Sequence, residues 1–421
     1  MGFPRVDPEL EQVELRIGAS GETVLRNWSE YTFNSDFITP TDGWSFKLGQ
    51  SNLRPGDIPE LIPGARVQLW IGSNVQATGY VDKIHRKASK GSGVEWTIEG
   101  RDVMAPVVDA HIDPRTQFKA SMTLIQMLAK ALHGVSAWGT ENQIEEGNGA
   151  NLEQITGTKK KLSKKGKLLK KATAAQLKPT LGEGAFAFIA RILLRHGLFL
   201  WASADGERLI VGEPDYTIPE PAVYTLTRRF DGRGNNVIEG EHTVDLGDQP
   251  TAIVADGFAG GGEFGKSKSK CIMLNPFVRL LNKSNATLIG ELKAKFKGAT
   301  VIKPDFTPPS EPHVTEMERI LYLHDQDAQS LDELAAFTRL HMSECTRKLE
   351  TAKYTVKGHY CRTPQGEYAP WAVDTVVMVD DEVTGINGPM WVKGRTFTKS
   401  VGAGTKTTLD LVALNTIEFG S

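Results

Sequence analysis

Gly260-Gly261-Gly262-Glu263-Phe264-Gly265-Lys266-Ser267 (GGGEFGKS) satisfies the phosphate-loop pattern G-x-x-x-x-G-K-[ST] at every position. How this stretch is read decides the fold. A working loop needs a buried strand before it, a helix starting at its Lys-Ser, and a parallel sheet around it. The loop amides and the helix N-terminus are what hold the phosphates. TAIVADGF (251–258) could be the strand, but KSKSKCIMLNPF (266–277) follows. Alternating Lys and Ser make a poor first turn, and Pro276 would break a helix soon after it. Neither flank shows the βαβα alternation of a parallel domain. The stretch is therefore expected to be a Gly-rich solvated loop leaving a strand. No cofactor is assigned to the chain. A P-loop NTPase, which Lys266→Ala would disable, is the enzyme alternative.

VVMVDDE (376–382) resembles the apolar strand and acidic end that hold Mg²⁺ beside such loops. VTGINGPMWVKG (383–394) follows it and reads as a hairpin with Asn387-Gly388 in the turn region. The acids are then expected at the exposed rim of an antiparallel sheet.

At 421 residues the chain is long enough for two to four domains. Hydrophobic content of 40% and charged content of 24% suit a globular protein, and a net charge of −2 argues against a global nucleic-acid or membrane binder. No apolar run approaches the ~18 residues of a membrane span. The first residues, MGFPRVDPELEQVEL, lack the apolar core of a secretion signal, and Val6 stands where a myristoylation site needs Ser or Thr. Cys271, Cys345 and Cys361 form no paired framework, which fits synthesis in a reducing cytosol.

From Val13 to about Asp109 apolar and polar residues alternate in runs bounded by Gly, Asn or Ser: VELRIGASGETVL (13–25), ARVQLWIGSNVQATGYVDKIHRK (65–87) and GSGVEWTIEGRD (91–102). Period two buries one face of a strand and wets the other, as in antiparallel sheets or barrels. TLIQMLAKALHG (123–134) then places Leu124, Ile125, Leu128 and Leu132 on one helical face. GAFAFIARILLRHG (184–197) reads as a helix, and LFLWASADGERLIVG (198–212) as a hairpin turning at Asp205-Gly206. Pro214 to Pro221 look like a linker, and strands resume in AVYTLTRRF (222–230) and TAIVADGF. NATLIGELKAKFKG (285–298) is a short helix candidate. Ser330-Leu331-Asp332-Glu333 is a capping box that opens a helix whose stripe is Leu331, Ala335, Met342, Cys345 and Leu349.

Residues 63–100 and 372–413 repeat one order of elements. Each has a strand, a Gly/Asn turn, a second strand entered at Gly79-Tyr80 or Pro389-Met390-Trp391, a basic stretch and a closing alternating strand. The echo suggests two related β-barrel modules separated by mixed segments.

The remaining candidate chemistry is thin. Lys159–Lys171 carries eight lysines and no aromatic residue. It could grip phosphates through counterion release, but single-strand readers interleave stacking aromatics, so a solvated loop is expected. His341 and Cys345 stand four residues apart with Glu344 between them, but no second ligand pair matches, and Cys345 lies on the apolar stripe. No H-E-x-x-H or G-x-S-x-G motif occurs. Carboxylate pairs for glycoside hydrolysis need only meet in space, and nothing in the sequence points to them. No catalytic, cofactor-binding or metal-ligating residue is assigned, and the chain is read as a non-enzyme.

Three stretches share a resemblance. GEGAFAFIARILLRHGLFLWASADGERLIVGEPDY (182–216) looks like the helix–hairpin element of baseplate hub proteins from contractile phage tails, and its F-x-x-R-x-x-x-x-x-G signature is similar to one in type VI secretion spike proteins. ERILYLHDQDAQSLDELAAFTRLHMSECTRKLETAKYTVKGH (318–359) resembles that family's acidic turn, long helix and following strand. WAVDTVVMVDDEVTGINGPMWVKGRTFTKSVGAGTKTTLDLVA (371–413) is similar to the closing barrel of Mu-like tail hub proteins, and GYVDKIHRKASKGSGVEWTIEGRD (79–102) fits their first barrel. Residues 136–181 and 260–312 match nothing. The motifs are degenerate, so their order along the chain carries the resemblance.

The resemblance implies a mainly β fold with α+β insertions, in which two tube-like antiparallel β-barrel modules accompany helix–hairpin segments. The expected division is a first barrel over 1–112, an α+β domain over 113–216 with its Lys-rich loop at 156–181, a second barrel from 217–260 and 350–421, and a loop-and-helix insertion over 261–349. It also implies a homotrimer whose six barrels match a hexameric tail tube above while its threefold face receives the central spike below. Tape-measure and baseplate wedge proteins are further expected partners, and DNA would pass only through the lumen. The setting implied is the tail baseplate of a virion assembled in the bacterial cytoplasm. A tailocin or another injection system would look the same in sequence. A hub carrying a cell-wall-degrading activity is the second alternative; it would need a compact inserted domain with clustered acids.

Overall fold

The computed structural model describes residues 11–417 except 19–22, 49–57, 59, 91–92, 120–121, 134–137, 139, 149–177, 195–196, 221, 260–266, 305–310, 326–327, 329–330 and 364–365. The Lys159–Lys171 run, the Gly-rich stretch 260–266 and the cap residue Ser330 fall outside them.

Alternation builds the strands. The first group is β1 (Val13–Ile17), β2 (Thr23–Leu25), β3 (Glu30–Asp36), β4 (Gly43–Leu48), β5 (Arg66–Ile71), β6 (Asn74–Ser89) and β7 (Gly93–Asp102). Trp44, Phe46 and Leu48 of β4 and Val67, Leu69 and Ile71 of β5 are buried, with Ser45, Lys47, Gln68 and Trp70 on the wetter side. At Gly79 the β6 backbone passes close to β7. A Cβ on Gly79 would stand 2.0 Å from the Arg101 carbonyl oxygen, so no other residue fits there without moving the strands.

Next come α1 (Ala105–Asp109), α2 (Leu124–Leu132), β8 (Ile144–Glu146), α3 (Ala185–Leu194), β9 (Phe199–Ala202) and β10 (Leu209–Gly212). Thr123 and Gln126 cap α2 reciprocally, each side chain accepting the other's backbone N–H at 3.2 Å. The β9–β10 hairpin turns at Asp205-Gly206, as its sequence predicts. The helices pack on a three-stranded sheet around their own core, which includes Leu128, Phe188, Leu193 and Val211.

The remaining strands are β11 (Tyr224–Arg228), β12 (Val237–Val244), β13 (Ala252–Ala259), β14 (Ser267–Leu274), β15 (Val278–Leu280), β16 (Thr300–Ile302), β17 (His313–Thr315), β18 (Ile320–Asp325), β19 (Glu350–Lys357), β20 (Tyr360–Arg362), β21 (Tyr368–Pro370), β22 (Thr375–Asp381), β23 (Ile386–Ser400) and β24 (Gly404–Ala413). Two helices, α4 (Asn285–Lys295) and α5 (Leu331–Thr346), sit among them. Between β12 and β19 the chain builds a four-stranded sheet in the order β16-β14-β13-β18. Its two faces follow the pleat: Ala252, Val254 and Ile272 pack towards α4, while Ile253, Ala255, Cys271 and Met273 pack towards α5.

α5 buries a face that overlaps the expected stripe at Met342 but is centred on Leu334 and Thr338. Leu334, Thr338, Met342, Ser343 and Thr346 are buried, whereas Leu331, Ala335 and Cys345 are only half-buried. Thr338 enters the core because its hydroxyl is satisfied there, donating to the Leu334 carbonyl at 2.7 Å and lying 3.0 Å from Cys271 Sγ.

The expectation of two tube-like antiparallel β-barrel modules is overturned, because among the described residues no sheet closes on itself. The fold is mixed α/β with strands dominant, and both β regions belong to one open 13-stranded sheet. The order β12-β19-β24-β23-β3-β4-β7-β6-β5-β1-β2 is extended by β22 on β23 and by β11 on β22. Nor is the sheet wholly antiparallel, since β11 and β22 run parallel. The physical reason lies in β23. At 15 residues it outruns β22, which covers only its first half, so the second half offers its edge to β3 of the other region. Hydrogen-bonding capacity that would close a barrel joins the two regions instead. A single apolar core accordingly runs from Leu15, Phe46 and Ile98 to Tyr354, Phe397 and Leu409.

The repeated order read from sequence extends to the strand order in the sheet. One half runs β3-β4-β7-β6-β5-β1 and the other β12-β19-β24-β23-β22-β11, each series matching the other both in chain order and in neighbours. The long middle strands are irregular at corresponding places, between Val81 and Lys83 in β6 and between Val392 and Gly394 in β23.

Candidate functional site

Several buried polar groups, His359, Arg395 and Thr407 among them, meet at or beside the β3–β23 joint. Gly394 pairs with Asp36, Phe397 with Phe33 and Lys399 with Tyr31. Gly394 permits the approach, since a Cβ there would lie 3.1 Å from an Asp36 carboxylate oxygen and 3.2 Å from the Ser35 carbonyl. Lys393 reaches Asp36 at 3.0 Å across the same joint.

Arg395 is buried beside it. Its guanidinium lies 4.5 Å from the Phe397 ring centroid and 5.7 Å from that of Phe33, and it donates to the Trp371 carbonyl. Burial lowers its pKa to about 10 against the opposing pull of Asp42. Asp42 is pushed up to about 7 by burial and by the neighbouring Asp102 carboxylate, while the Ser35 hydroxyl donating at 2.6 Å works against the rise.

A second chain of contacts crosses the joint. Tyr31 Oη lies 2.7 Å from His359 Nε2, His359 Nδ1 lies 3.2 Å from Thr407 Oγ1, and the Thr407 hydroxyl donates to the Gly358 carbonyl at 2.6 Å. The His359 backbone N–H donates to the Glu11 carboxylate at 2.8 Å. Burial, helped by the positive charges of Arg395 and Lys399, lowers the His359 pKa to about 3, so the ring is neutral.

A third node ties β11, β19 and β22. Arg228 holds Asp381 through two hydrogen bonds of 2.9 and 2.8 Å, and Tyr354 and Thr384 donate to the same carboxylate. These donors hold the Asp381 carboxyl well below the usual range despite its burial. The expected exposed rim is thus a buried ion pair at this position. The hairpin turn falls at 382–385, with Asn387 and Gly388 already paired in β23.

The phosphate-loop reading fails on geometry. Ser267 opens β14 rather than a helix, and β14 runs antiparallel to β13, with Ala259 opposite Ser267. His341 and Cys345 do not converge as ligands; His341 Nδ1 lies 3.2 Å from Glu344, and the described residues contain no group of three or more His, Cys, Asp or Glu side chains placed to hold a metal. Among the described residues no helix is long and apolar enough to cross a membrane. What the structure assembles is a set of braces across one sheet. Sequence reasoning missed Tyr31, His359 and Arg395; the one signal available was the length of β23 relative to its partner.

The profile of the family described as Mu phage baseplate assembly protein GpP-like, N-terminal, matches residues 12–102. Comparison with curated protein sequences gives no match. Among solved structures, a tail protein from Neisseria meningitidis MC58 is similar at TM-score 0.67 and 21% identity, covering 96% of each chain. The 43 kDa tail protein of prophage MuSo2 from Shewanella oneidensis is similar at TM-score 0.67 and 18% identity, over 97% of this chain and all of that one (100%). An E. coli component of the type VI secretion system, itself described as structurally similar to the T4 tail proteins gp27 and gp5, aligns at TM-score 0.50 and 9% identity over 97% of this chain and 78% of its own. At these identities the solved structures speak for the fold, and the match over 12–102 speaks for the family. Residues 12–102 thus match the Mu phage baseplate assembly family, and the chain as a whole shares its fold with the two phage-type tail proteins.

Proposed function

We propose that the chain is the hub of a contractile-tail baseplate, a homotrimer that adapts a sixfold tail tube to a threefold central spike around a lumen. The observation that carries this reading is the doubled strand order, β3-β4-β7-β6-β5-β1 and β12-β19-β24-β23-β22-β11. One subunit supplies two like units, so three subunits supply six towards the tube while keeping threefold symmetry towards the spike. The tube or distal-tube protein and the spike are the primary partners. Tape-measure and wedge proteins are secondary ones, and DNA is cargo in transit. For this role the chain divides into 1–112, 113–216, 217–260 with 350–421, and 261–349, the first and third units forming the ring. Strong attraction to DNA would slow its passage.

Sedimentation equilibrium and negative-stain class averages of the purified chain test the reading. The expected particle has three subunits around a central hole. A monomer at all concentrations, or a compact dimer without a hole, would overturn it.

A further inference from the structure

Among the described residues, two that are not glycine have left-handed backbone: Asp374 at φ 58° and Asn415 at φ 59°. Such residues persist where the surroundings hold a conformation against its own preference, as at clamps and switch regions. Both stand at one junction. There the segment leaving β10, residues 414–417 and the large sheet meet.

Asp374 fastens the segment. One of its carboxylate oxygens accepts the Asp215 backbone N–H at 2.7 Å and the Trp391 indole N–H at 3.0 Å. The Tyr216 ring lies 5.6 Å from that of Trp391, and its hydroxyl donates to the Ile417 carbonyl at 3.2 Å and accepts the Ile417 N–H at 3.3 Å. Asn415 turns the chain back after β24, and the Thr416 hydroxyl closes the turn on the Ala413 carbonyl at 2.9 Å. Thr346, the last residue of α5, donates to the Thr416 carbonyl at 3.0 Å. Leu414 and Ile417 are buried with Val376, Trp391 and Val412, so residues 414–417 lie across Tyr216 as a strap. Phe37 completes the junction, its ring 5.3 Å from Trp391 and 5.1 Å from both Phe199 and Trp201 of β9.

The helices α1–α3 and the β8-β10-β9 sheet have a core of their own, and the chain joins them to the large sheet by two passages. One is the short step from β7 into α1, and the other is residues 213–223 between β10 and β11. Beside the first passage the contact is close. The Thr78 hydroxyl donates to the Ala204 carbonyl at 3.0 Å, and the Trp138 indole N–H donates to the Val103 carbonyl at 3.4 Å. A Cβ on Gly206 would stand 2.7 Å from Thr78 Cβ, so the β9–β10 turn sits directly on β6. We infer that the first passage is a pivot and the second a latch: Asp374 and the 414–417 strap fasten residues 215–217, and their release lets the α+β unit turn against the large sheet. A unit with its own core, held at two separated places, moves by giving up one of them. The latch is the one to give, because it rests on a few hydrogen bonds and two left-handed residues, whereas the pivot is a direct backbone approach.

Hydrogen–deuterium exchange and spin-label distances on the full-length chain test this. Tyr216→Phe removes one oxygen and both bonds to Ile417. It is expected to raise exchange roughly tenfold over 213–217 and over 412–417 together, with the β3–β23 joint at 31–36 and 394–399 unchanged. Asp374→Ala is expected to do the same at 412–417, which it reaches through Asp215 and Tyr216, while Asp374→Asn, which keeps an acceptor oxygen and tolerates left-handed backbone, stays near wild type. Either break opens one latch, so Tyr216→Phe/Asp374→Ala is expected to exchange no faster than the faster single variant. Labels on Lys130→Cys in α2 and Lys353→Cys in β19, both exposed positions, with Cys345→Ser, report the turn. One narrow distance is expected with the latch intact, and a broadened or second distance once Tyr216→Ala/Asp374→Ala is added. Exchange that rises only at each altered contact and multiplies in the double variant overturns the latch. A uniform rise that includes 31–36 and 394–399 also overturns it, since the contacts then support the whole fold. Coupled exchange with an unchanged label distance overturns the pivot. Should the alanine variants not yield soluble protein, Tyr216→Phe alone decides, by whether 213–217 and 412–417 open together and the label distance changes with them.

Discussion

Acidification should destabilise this protein through one buried ring. His359 is neutral in the folded state with its pKa lowered to about 3, whereas in the unfolded chain it titrates near the ordinary 6.5. Above pH 6.5 neither state binds the proton, and the group has no effect. Below it the unfolded chain takes up a proton that the folded one refuses, so stability falls as pH falls, down to the folded pKa. Between pH 7 and pH 5 the loss is about 2 kcal/mol, from ~1.4 kcal/mol per pH unit below 6.5. Glu11, whose carboxylate accepts from the His359 backbone, has a raised pKa and acts in the opposite sense. It is present in wild type and in His359→Gln alike, so the comparison cancels it. Urea unfolding of both proteins at pH 7 and pH 5 measures the effect. His359→Gln is expected to be weaker at pH 7, where contacts to Tyr31 and Thr407 are altered, but to lose about 2 kcal/mol less on acidification. Parallel pH dependences for the two proteins, or a folded-state His359 resonance that titrates near 6.5, would refute the reasoning.

Arg228→Ala leaves the buried Asp381 carboxylate with its hydroxyl donors but without its cation, and is expected to cost about 3 kcal/mol in the same unfolding assay. Gly79→Ala forces a methyl into the Arg101 carbonyl and is expected to lower stability by about 3 kcal/mol or to prevent soluble expression, with Gly43→Ala, where a Cβ meets nothing within 4 Å, as the tolerated control. MgATP should leave the melting temperature of wild type and of Lys266→Ala unchanged, because Ser267 begins an antiparallel strand; a ligand-dependent rise lost in the variant would reinstate nucleotide binding.

Local signals were legible wherever neighbours in sequence decide the structure. The helix at Leu124–Leu132, the Asp205-Gly206 hairpin and the absence of a helix at Ser267 all rest on contacts a few residues apart. The central part of the doubled order, β5-β6-β7 and β22-β23-β24, was also visible, because each of these runs lies in one stretch of chain. Closure of the barrels was misread because it depends on which distant edge a strand meets. Nothing near Gly394 indicates that its partner is Asp36. The polar part of the buried face of α5 was missed for another reason: Thr338 and Ser343 are polar by composition and become core residues when their surroundings accept them, Thr338 through the bond to Leu334. Asp381 is the same lesson in charged form, since an acid at a strand end looks exposed until Arg228 is set beside it. The braces at Arg395 and His359 join parts of the chain that sequence patterns treat separately.

The β3–β23 joint also sets the order of events during synthesis. Residues Tyr31 to Asp36 leave the ribosome early, but their partner strand follows roughly 360 residues later, an interval of about 20 to 70 s at ordinary elongation rates. Throughout that time β3 can pair with β4 but keeps its other edge open, and it bears Tyr31 and Phe33, both deeply buried in the finished protein. On a polysome, neighbouring chains hold the same strand open at the same moment. Yield in the host should therefore depend on holdase capacity and translation speed more than on the stability of the finished fold, and slowing elongation should favour aggregation rather than relieve it.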